Sequence, residues 1–452
     1  MWSLYILTYF AGHLSVAASE GAIRPSQDSW YVQPANISNY MPGEMVRSRQ
    51  VSNRLQSLLT VPVEVSVESV HQYMFRTTDS LGNPVAAITT LLVPYDSDPS
   101  KLLVYQTAYD TSNPDCSPSY ALRYRSTVDT VTNLFNNMIP AETPLLAAAL
   151  NKGWWVVTAD YEGLDGHFTA GLQSGRATLD SLRVVLKEGP KIGLAPDARY
   201  AMWGYSGGSL ACGWAAELQP SYAPELHFAG AALGGTVPSV RSGLSRINGG
   251  PFTGLAYHGI NGLAKAYPNF TEWLDQNLVS EKKAEFYARA GACTVSEIGP
   301  QGAFQDIYSY FVNGESSISE PIPASVFQWG TQMGVHGTPK MPLFVYKAVN
   351  DEVSPGKDTD DLIDHYCRNG ATIEYHRDLL GEHTSEVITG SANAINWLSE
   401  RLAGKHLNHM GSCIKKDVVV TELGQDTLPI FGDEIRGLLN IALGSMLGPH
   451  ST

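Results

Sequence analysis

Tyr200-Ala201-Met202-Trp203-Gly204-Tyr205-Ser206-Gly207-Gly208-Ser209-Leu210 runs from a buried, strand-like segment through a tight turn into a helix-like one. A side chain at Gly204 or Gly208 would meet neighbouring backbone in so sharp a turn. Downstream, Leu210, Ala211, Trp214, Ala215 and Leu218 recur at helical spacing. Strand, sharp turn and helix are the context in which a Gly-x-Ser-x-Gly serine is held above a sheet as a nucleophile. The helix N-terminus behind Ser206 then faces a developing oxyanion. For the pentapeptide alone, the plainer alternative is a Gly/Ser turn that merely starts a helix.

Working outward, alternating or continuous apolar runs occur at Val85–Val93, Leu102–Tyr105, Trp155–Ala159, Tyr200–Tyr205, Ala229–Leu233, Leu343–Tyr346 and Thr372–His376. Helical patterns lie between or after them at Leu145–Asn151, Gly171–Leu186, Ser209–Leu218, Asp358–Asn369 and Ser385–Leu402. Strand alternating with helix predicts an α/β fold with a mainly parallel, doubly wound sheet. Residues 19–60 are polar and Pro-containing, and read as an irregular surface strap. Between about Thr236 and Gly337 the alternation stops. Tyr257, Leu263, Tyr267, Trp273, Leu274, Phe286, Tyr287, Phe304, Tyr308 and Phe311 instead fall at helical spacing, which predicts a helical cap over the carboxyl edge of the strands. Most of these aromatics are expected to form the cap's own core. Past Cys413, Ile435, Leu438, Leu439, Ala442, Leu443 and Met446 form an apolar stripe that reads as a docked terminal helix.

The chain has 452 residues, enough for one large domain with an insertion or for two domains. Its 30 basic and 44 acidic residues give a net charge of −14, and no Lys/Arg run occurs. Nucleic acid is therefore not an expected partner, because the phosphate-neutralising charge is missing. Trp2–Phe10 is apolar and Val16-Ala17-Ala18 offers the small residues of a cleavage site, so residues 1–18 read as a secretory signal. That stretch is too short to span a bilayer, and no stable membrane anchor is expected. The sequons at Asn36 and Asn269 fit secretion. The five cysteines show no C-x-x-C spacing, which points away from a metal site. In an exported chain they suggest two disulfides and one free thiol, the latter Cys212 on the apolar side of the helix after Ser206.

A serine hydroxyl needs a base, and the base needs a carboxylate to hold it. In this topology both follow the serine, carboxylate first, each on a loop after a strand. Asp351 lies just past the strand-like Leu343–Tyr346, with Glu352 as the fallback. His383 lies between the last strand and a helix, whereas His365 and His376 fall inside predicted elements. The oxyanion requires two backbone donors: one from Gly207, the other from the loop Thr107–Asp110.

Several further segments carry a resemblance. Tyr105-Gln106-Thr107-Ala108-Tyr109-Asp110, Cys116-Ser117-Pro118-Ser119-Tyr120, Asp160-Tyr161-Glu162-Gly163, Tyr222-Ala223-Pro224-Glu225-Leu226 and Asn248-Gly249-Gly250-Pro251-Phe252 occur in order. With Gly204–Gly208, Asn350-Asp351-Glu352-Val353-Ser354-Pro355 and Glu382-His383, the chain resembles the fungal secretory lipase family of the lipase A type from about Trp30 to Cys413. The resemblance implies an α/β-hydrolase with a helical cap, a Ser206/Asp351/His383 triad, and Asp110 and Gly207 as oxyanion donors. It also implies Cys116–Cys293 and Cys367–Cys413 disulfides, which would be worth about 5 and about 4 kcal/mol at most on a chain-entropy account. The expected division is a signal peptide at 1–18, hydrolase core at 19–235, cap at 236–337, core again at 338–413 and a tail at 414–452.

The function implied is a secreted serine esterase or lipase acting on acylglycerols or other lipid esters through an acyl-enzyme. No metal or organic cofactor is called for, a monomer is expected, and contact with a lipid interface would be transient. A short-chain esterase that deacetylates a small metabolite, as trichothecene-type deacetylases do, is the alternative within the family. A serine peptidase on the same fold is disfavoured, since no large propeller-like domain precedes the core. A non-catalytic binding protein on a hydrolase scaffold is the reading of another class.

Overall fold

The computed structural model describes residues 21–56, 65–124, 126, 139–293, 302–407, 410–419 and 446–449. The signal at 1–18 and nearly all of the stripe from Ile435 to Met446 lie outside the described residues. The strands are β1 Met45–Val51, β2 Arg54–Leu55, β3 Val65–Ser66, β4 Ser69–Thr78, β5 Pro84–Val93, β6 Asp98–Gln106, β7 Trp154–Ala159, β8 Arg199–Tyr205, β9 Ala231–Gly234, β10 Leu343–Ala348, β11 Ile373–Asp378 and β12 Cys413–Val418.

Ten of them form one sheet in the order β1-β4-β5-β7-β6-β8-β9-β10-β11-β12, and β2 pairs with β3 apart from it. From β7 to β12 every neighbouring pair is parallel, while β1, β4 and β5 add an antiparallel edge. The central strands β7, β8, β9 and β10 are apolar along their buried lengths except at Thr158 and Lys347, as expected of strands covered on both faces. Helices Gly171–Glu188 and Gly207–Tyr222 pack against the sheet and against each other, and Gly175 makes this possible: a Cβ there would lie 2.7 Å from the Trp214 backbone.

All seven strands read from the apolar runs are present. Five others, β1, β2, β3, β4 and β12, are not anticipated by those runs. The strap at 19–60 contains β1, an edge strand, and the sheet continues past Cys413 along β12 to Val418. Both are edges and turn polar or charged residues to water, Ser48 and Gln50 in β1 and Lys415, Lys416 and Asp417 in β12, so neither shows an apolar run. The predicted helix over Ser385–Leu402 is two helices, His383–Thr389 and Ser391–Leu402, parted at Gly390, where a Cβ would lie 2.2 Å from Tyr346.

Between β9 and β10 lie the helices Val240–Ile247, Gly254–Ala266, Pro268–Asn277, Ser280–Ala290 and Pro321–Gly330. They share an apolar cluster built on Tyr257, Leu263, Phe270, Trp273, Leu274, Phe286 and Phe327, distinct from the core around the sheet. Phe304 is the exception among the aromatics read as cap core: it is 71% exposed. Disulfides join Cys116 to Cys293 and Cys367 to Cys413, while Cys212 is a buried free thiol. The tail's last described residues dock at the amino edge of the parallel strands. There the Leu447 amide donates to Ser66 O at 2.8 Å, and Gly448 N donates to Asn151 Oδ1 at 3.2 Å.

Candidate active site

Because β6, β8, β9, β10 and β11 run parallel, the loops leaving their carboxyl ends meet on one side of the sheet. Ser206 stands directly after β8 as the residue before helix Gly207–Tyr222, with φ 51° and ψ −120°. A non-glycine residue in such a conformation costs on the order of 1–3 kcal/mol and persists only where its surroundings hold it. Here its N–H donates to Gly234 O at 2.9 Å and its carbonyl accepts from Leu210 N at 2.9 Å. The flanking glycines are required sterically. A Cβ at Gly204 would sit 2.3 Å from the Gly208 carbonyl, and one at Gly208 would sit 1.9 Å from Gln106 O.

His383 begins the helix after β11, and its Nε2 lies 2.8 Å from Ser206 Oγ. Its Nδ1 lies 2.6 Å from Asp351 Oδ2, the carboxylate in the loop after β10. The Asp351 Oδ1 atom accepts from the Val353 and Ser354 amides at 2.8 and 2.7 Å. Burial by itself would raise the Asp351 carboxyl. The Lys347 charge and the His383 hydrogen bond outweigh it and hold the group well below the usual carboxylate range.

Glu352, the fallback acid, takes a different place. Its carboxylate accepts from the His383 and Thr384 amides at 2.5 and 3.2 Å, capping the helix that His383 opens. The phenol of Tyr205 donates to the His383 carbonyl at 2.6 Å. The ring of His383 is thus held by Asp351, and its backbone N–H and carbonyl are held by Glu352 and Tyr205.

Asp110, in the loop after β6, is buried with φ 43°. Its Oδ1 occupies the space beside the Gly207 Cα, since a Cβ on Gly207 would lie 1.7 Å from it. Burial raises its carboxyl to about 7. Behind this loop, Glu142 accepts from Ala108 N at 3.0 Å, and burial raises it to about 8 against that hydrogen bond. The structure therefore brings together Ser206, His383, Asp351, Gly207 and Asp110. Asn36 and Asn269 are exposed elsewhere on the surface.

The motifs do not reveal Lys347. It is the penultimate residue of β10 and fully buried, with Nζ 2.7 Å from Asp351 Oδ2 and 2.9 Å from Thr236 O. The sequence does carry a signal for it: one lysine in the otherwise apolar Leu343–Ala348 requires a buried counter-charge.

Above Ser206 a cavity opens between sheet and cap. Its walls are apolar: Val240, Leu244 and Ile247 from one cap helix, Ala256, Ile260 and Leu263 from the next, and Phe327 from a third. Asp110, Thr169 and Ser206 supply the polar lining. Among the described residues, no group of three or more His, Cys, Asp or Glu is placed to hold a metal ion.

A parallel sheet carrying a serine, an imidazole and a carboxylate in bonding sequence at its carboxyl edge, under a helical cap, defines an α/β-hydrolase. Comparison with known proteins narrows the class. The family model described as Secretory lipase matches residues 125–409. Lipase A of Arthroderma benhamiae is 36% identical over 437 residues, 96% of this chain and 91% of that protein. The trichothecene C-3 esterase of Fusarium sporotrichioides is 36% identical over 433 residues, 92% of this chain and 93% of that one. The X-ray structure of Candida antarctica lipase A in its closed state superposes with a TM-score of 0.79 at 27% identity, covering 96% of this chain and 100% of that one. The chain belongs to the secretory lipase family and is a secreted carboxylic-ester hydrolase.

Proposed function

We propose that the enzyme hydrolyses acylglycerols or other lipid esters, with the acyl chain lying in the apolar cavity under the cap. The observation that carries this reading is the lining of that cavity, which opens on Ser206 and is aliphatic or aromatic along the cap helices. An acetyl group would leave most of such walls against water, whereas each buried methylene contributes about 0.8 kcal/mol.

In this reading Ser206 Oγ attacks the ester carbonyl carbon while His383 Nε2 takes its proton. The carbonyl oxygen, now negative, is met by the backbone N–H groups of Gly207 and Asp110. The tetrahedral intermediate collapses, the alcohol leaves with the proton from His383, and the acyl group stays on Ser206. A water then gives its proton to His383, attacks the acyl carbon, and releases the acid as Ser206 recovers its proton. Asp351 holds the imidazole in the tautomer that leaves Nε2 available and stabilises it when charged. Residues 236–337 act as the substrate-enclosing cap, 19–235 and 338–413 as the catalytic core, and 414–452 as a tail. Residues 1–18 are removed on secretion. Asn36 and Asn269 are accessible for glycosylation, the enzyme acts as a monomer, and its contact with lipid is transient.

A series of nitrophenyl esters from acetate to palmitate tests the substrate class. kcat/KM is expected to rise beyond butyrate. Activity confined to acetate and butyrate would overturn the lipid assignment and favour deacetylation of a small metabolite, a reading supported by the similarity to the trichothecene C-3 esterase.

A further inference from the structure

We propose that Lys347 is a positioning residue of this site: by donating to the same carboxylate oxygen that orients His383, it restrains the pull of Asp351 on the imidazole and so sets how acidic a medium the enzyme tolerates. The proposal rests on the reading of Ser206, His383 and Asp351 as the working triad.

Asp351 Oδ2 has two donors, His383 Nδ1 at 2.6 Å and Lys347 Nζ at 2.7 Å. The Lys347 side chain and the Asp351 side chain are both wholly shielded from solvent. An ammonium removed from water survives only beside a counter-charge, and an apolar residue would fill the same volume at less cost. A buried lysine at this point in an apolar strand therefore calls for an electrostatic account. The carboxylate stabilises the imidazolium that forms during acyl transfer. The same attraction acts in the resting enzyme, where a proton on Nε2 abolishes the base. A cation on the shared oxygen divides that attraction, which keeps the base available at lower pH and weakens the stabilisation of the imidazolium.

The surrounding charges do not duplicate this role. Burial lowers Lys347 from its ordinary value, while Asp351 above all, and Asp358 and Glu352 after it, favour its charged form. Glu386, on the helix that His383 opens, is raised to about 8 by burial and then by Asp378, so it is protonated at neutral pH. The phenols of Tyr205 and Tyr346 are raised by burial and stay neutral. Arg246, from the cap, donates at 3.2 Å to the backbone carbonyl of Asp351 and leaves the carboxylate to Lys347.

The test is the pH dependence of kcat/KM on nitrophenyl butyrate for the wild-type enzyme and for Lys347→Met, Lys347→Gln and Lys347→Arg. Loss of the charge in the Met or Gln variant is expected to move the acid limb upward by about one pH unit, with the plateau falling no more than about tenfold. Lys347→Arg, which keeps the charge, is expected to hold the limb within a few tenths of a unit of wild type. A plateau lowered uniformly with the limb in place would mark Lys347 as a structural filler and overturn the proposal, as would a limb displaced equally in Lys347→Arg. Fluorophosphonate labelling of wild type separates the two readings. An unlabelled Ser206 overturns the triad itself, whereas a labelled Ser206 with an unmoved limb overturns the role of Lys347 alone.

Discussion

The two walls of the site are built on opposite principles. On the core side, Ser206, His383 and Asp351 sit at strand ends, and each is held by directed hydrogen bonds of 2.6–2.9 Å. On the cap side, Leu244, Ile247, Ile260, Leu263 and Phe327 meet the cavity with side chains that make no directed bonds. Proton transfer fixes atoms at bonding distance, so the core wall tolerates almost no substitution. In the proposed function the cap wall has only to accommodate an acyl chain, which fixes shape and apolarity alone, so that wall can be rebuilt residue by residue. Mutations on the first wall should abolish turnover, and mutations on the second should redirect it.

Ser206→Ala is the sharpest way to break that contrast. It is expected to lower kcat on any ester by about 10⁶-fold and to abolish fluorophosphonate labelling, with thermal unfolding little changed. Residual turnover above a hundredth of wild type would mean that another nucleophile works in the cavity. Asp351→Asn should follow, with a loss of about 10⁴-fold in kcat from the wrong imidazole tautomer. The buried Lys347 adds a second consequence. Without its counter-charge the ammonium is stranded, so this variant should also lose about 3 kcal/mol of stability by denaturant titration. Glu352→Gln is the control, since Glu352 supports the His383 helix and not the ring.

The same contrast explains what was legible in the sequence. The core wall is readable because its geometry imposes residue types: glycine where backbones meet at 204 and 208, and polar residues just past strands at 351 and 383. Lys347 escapes because a single lysine leaves no periodicity, although its place in β10 demands a partner. The strands β1 and β12 escape because edge strands are polar by necessity. The choice between Asp351 and Glu352 depended on which carboxylate faced the ring and which faced the backbone, a matter of side-chain direction. The cap reads as helical from its spacing, but which of its apolar residues face the cavity and which face one another is decided only by packing. Tyr257 packs edge-on and Phe286 tilted against Tyr310 inside the cap, while Ile260 and Leu263 of the same helical region line the cavity.

Ala256→Phe sharpens the comparison from the cap side. Ala256 lines the cavity and is buried, so a phenyl ring there shortens the space for an acyl chain. kcat/KM on long-chain nitrophenyl esters should fall by about 10–100-fold, while activity on butyrate changes by less than about threefold, within the range that methylene-sized pocket changes produce. Equal losses on both would mean that the chain binds elsewhere. A smaller effect is expected where the walls touch. A Cβ at Gly262 of the cap would lie 2.4 Å from the Phe168 carbonyl oxygen and 2.6 Å from its nitrogen. Gly262→Ala should therefore cost about 1–3 kcal/mol, read as a lower Tm, with the triad's pH profile unmoved.

The mildest difference lies in how particular buried groups of the two walls respond to pH, setting aside Asp351, which is held low and shares the sign of the cap's His258. On the core side, burial raises Asp110 to about 7 and Glu142 to about 8. A carboxyl whose folded value stands above its unfolded value binds its proton more tightly in the native state. Its contribution to stability is full below about pH 4 and is lost as pH rises through the folded value. On the cap side, burial lowers His258 from 6.5 to about 3. An imidazole kept neutral by folding has the opposite sign: its contribution is full above 6.5 and is lost as pH falls toward 3. Tm should thus peak in mildly acidic buffer and decline on both sides, by several degrees toward pH 8. Glu142→Gln should flatten the alkaline decline and leave the acid side unchanged, and His258→Asn should do the reverse. If both variants flattened the same limb, the opposed electrostatics of core and cap would have to be abandoned, because one substitution would be acting through the other wall.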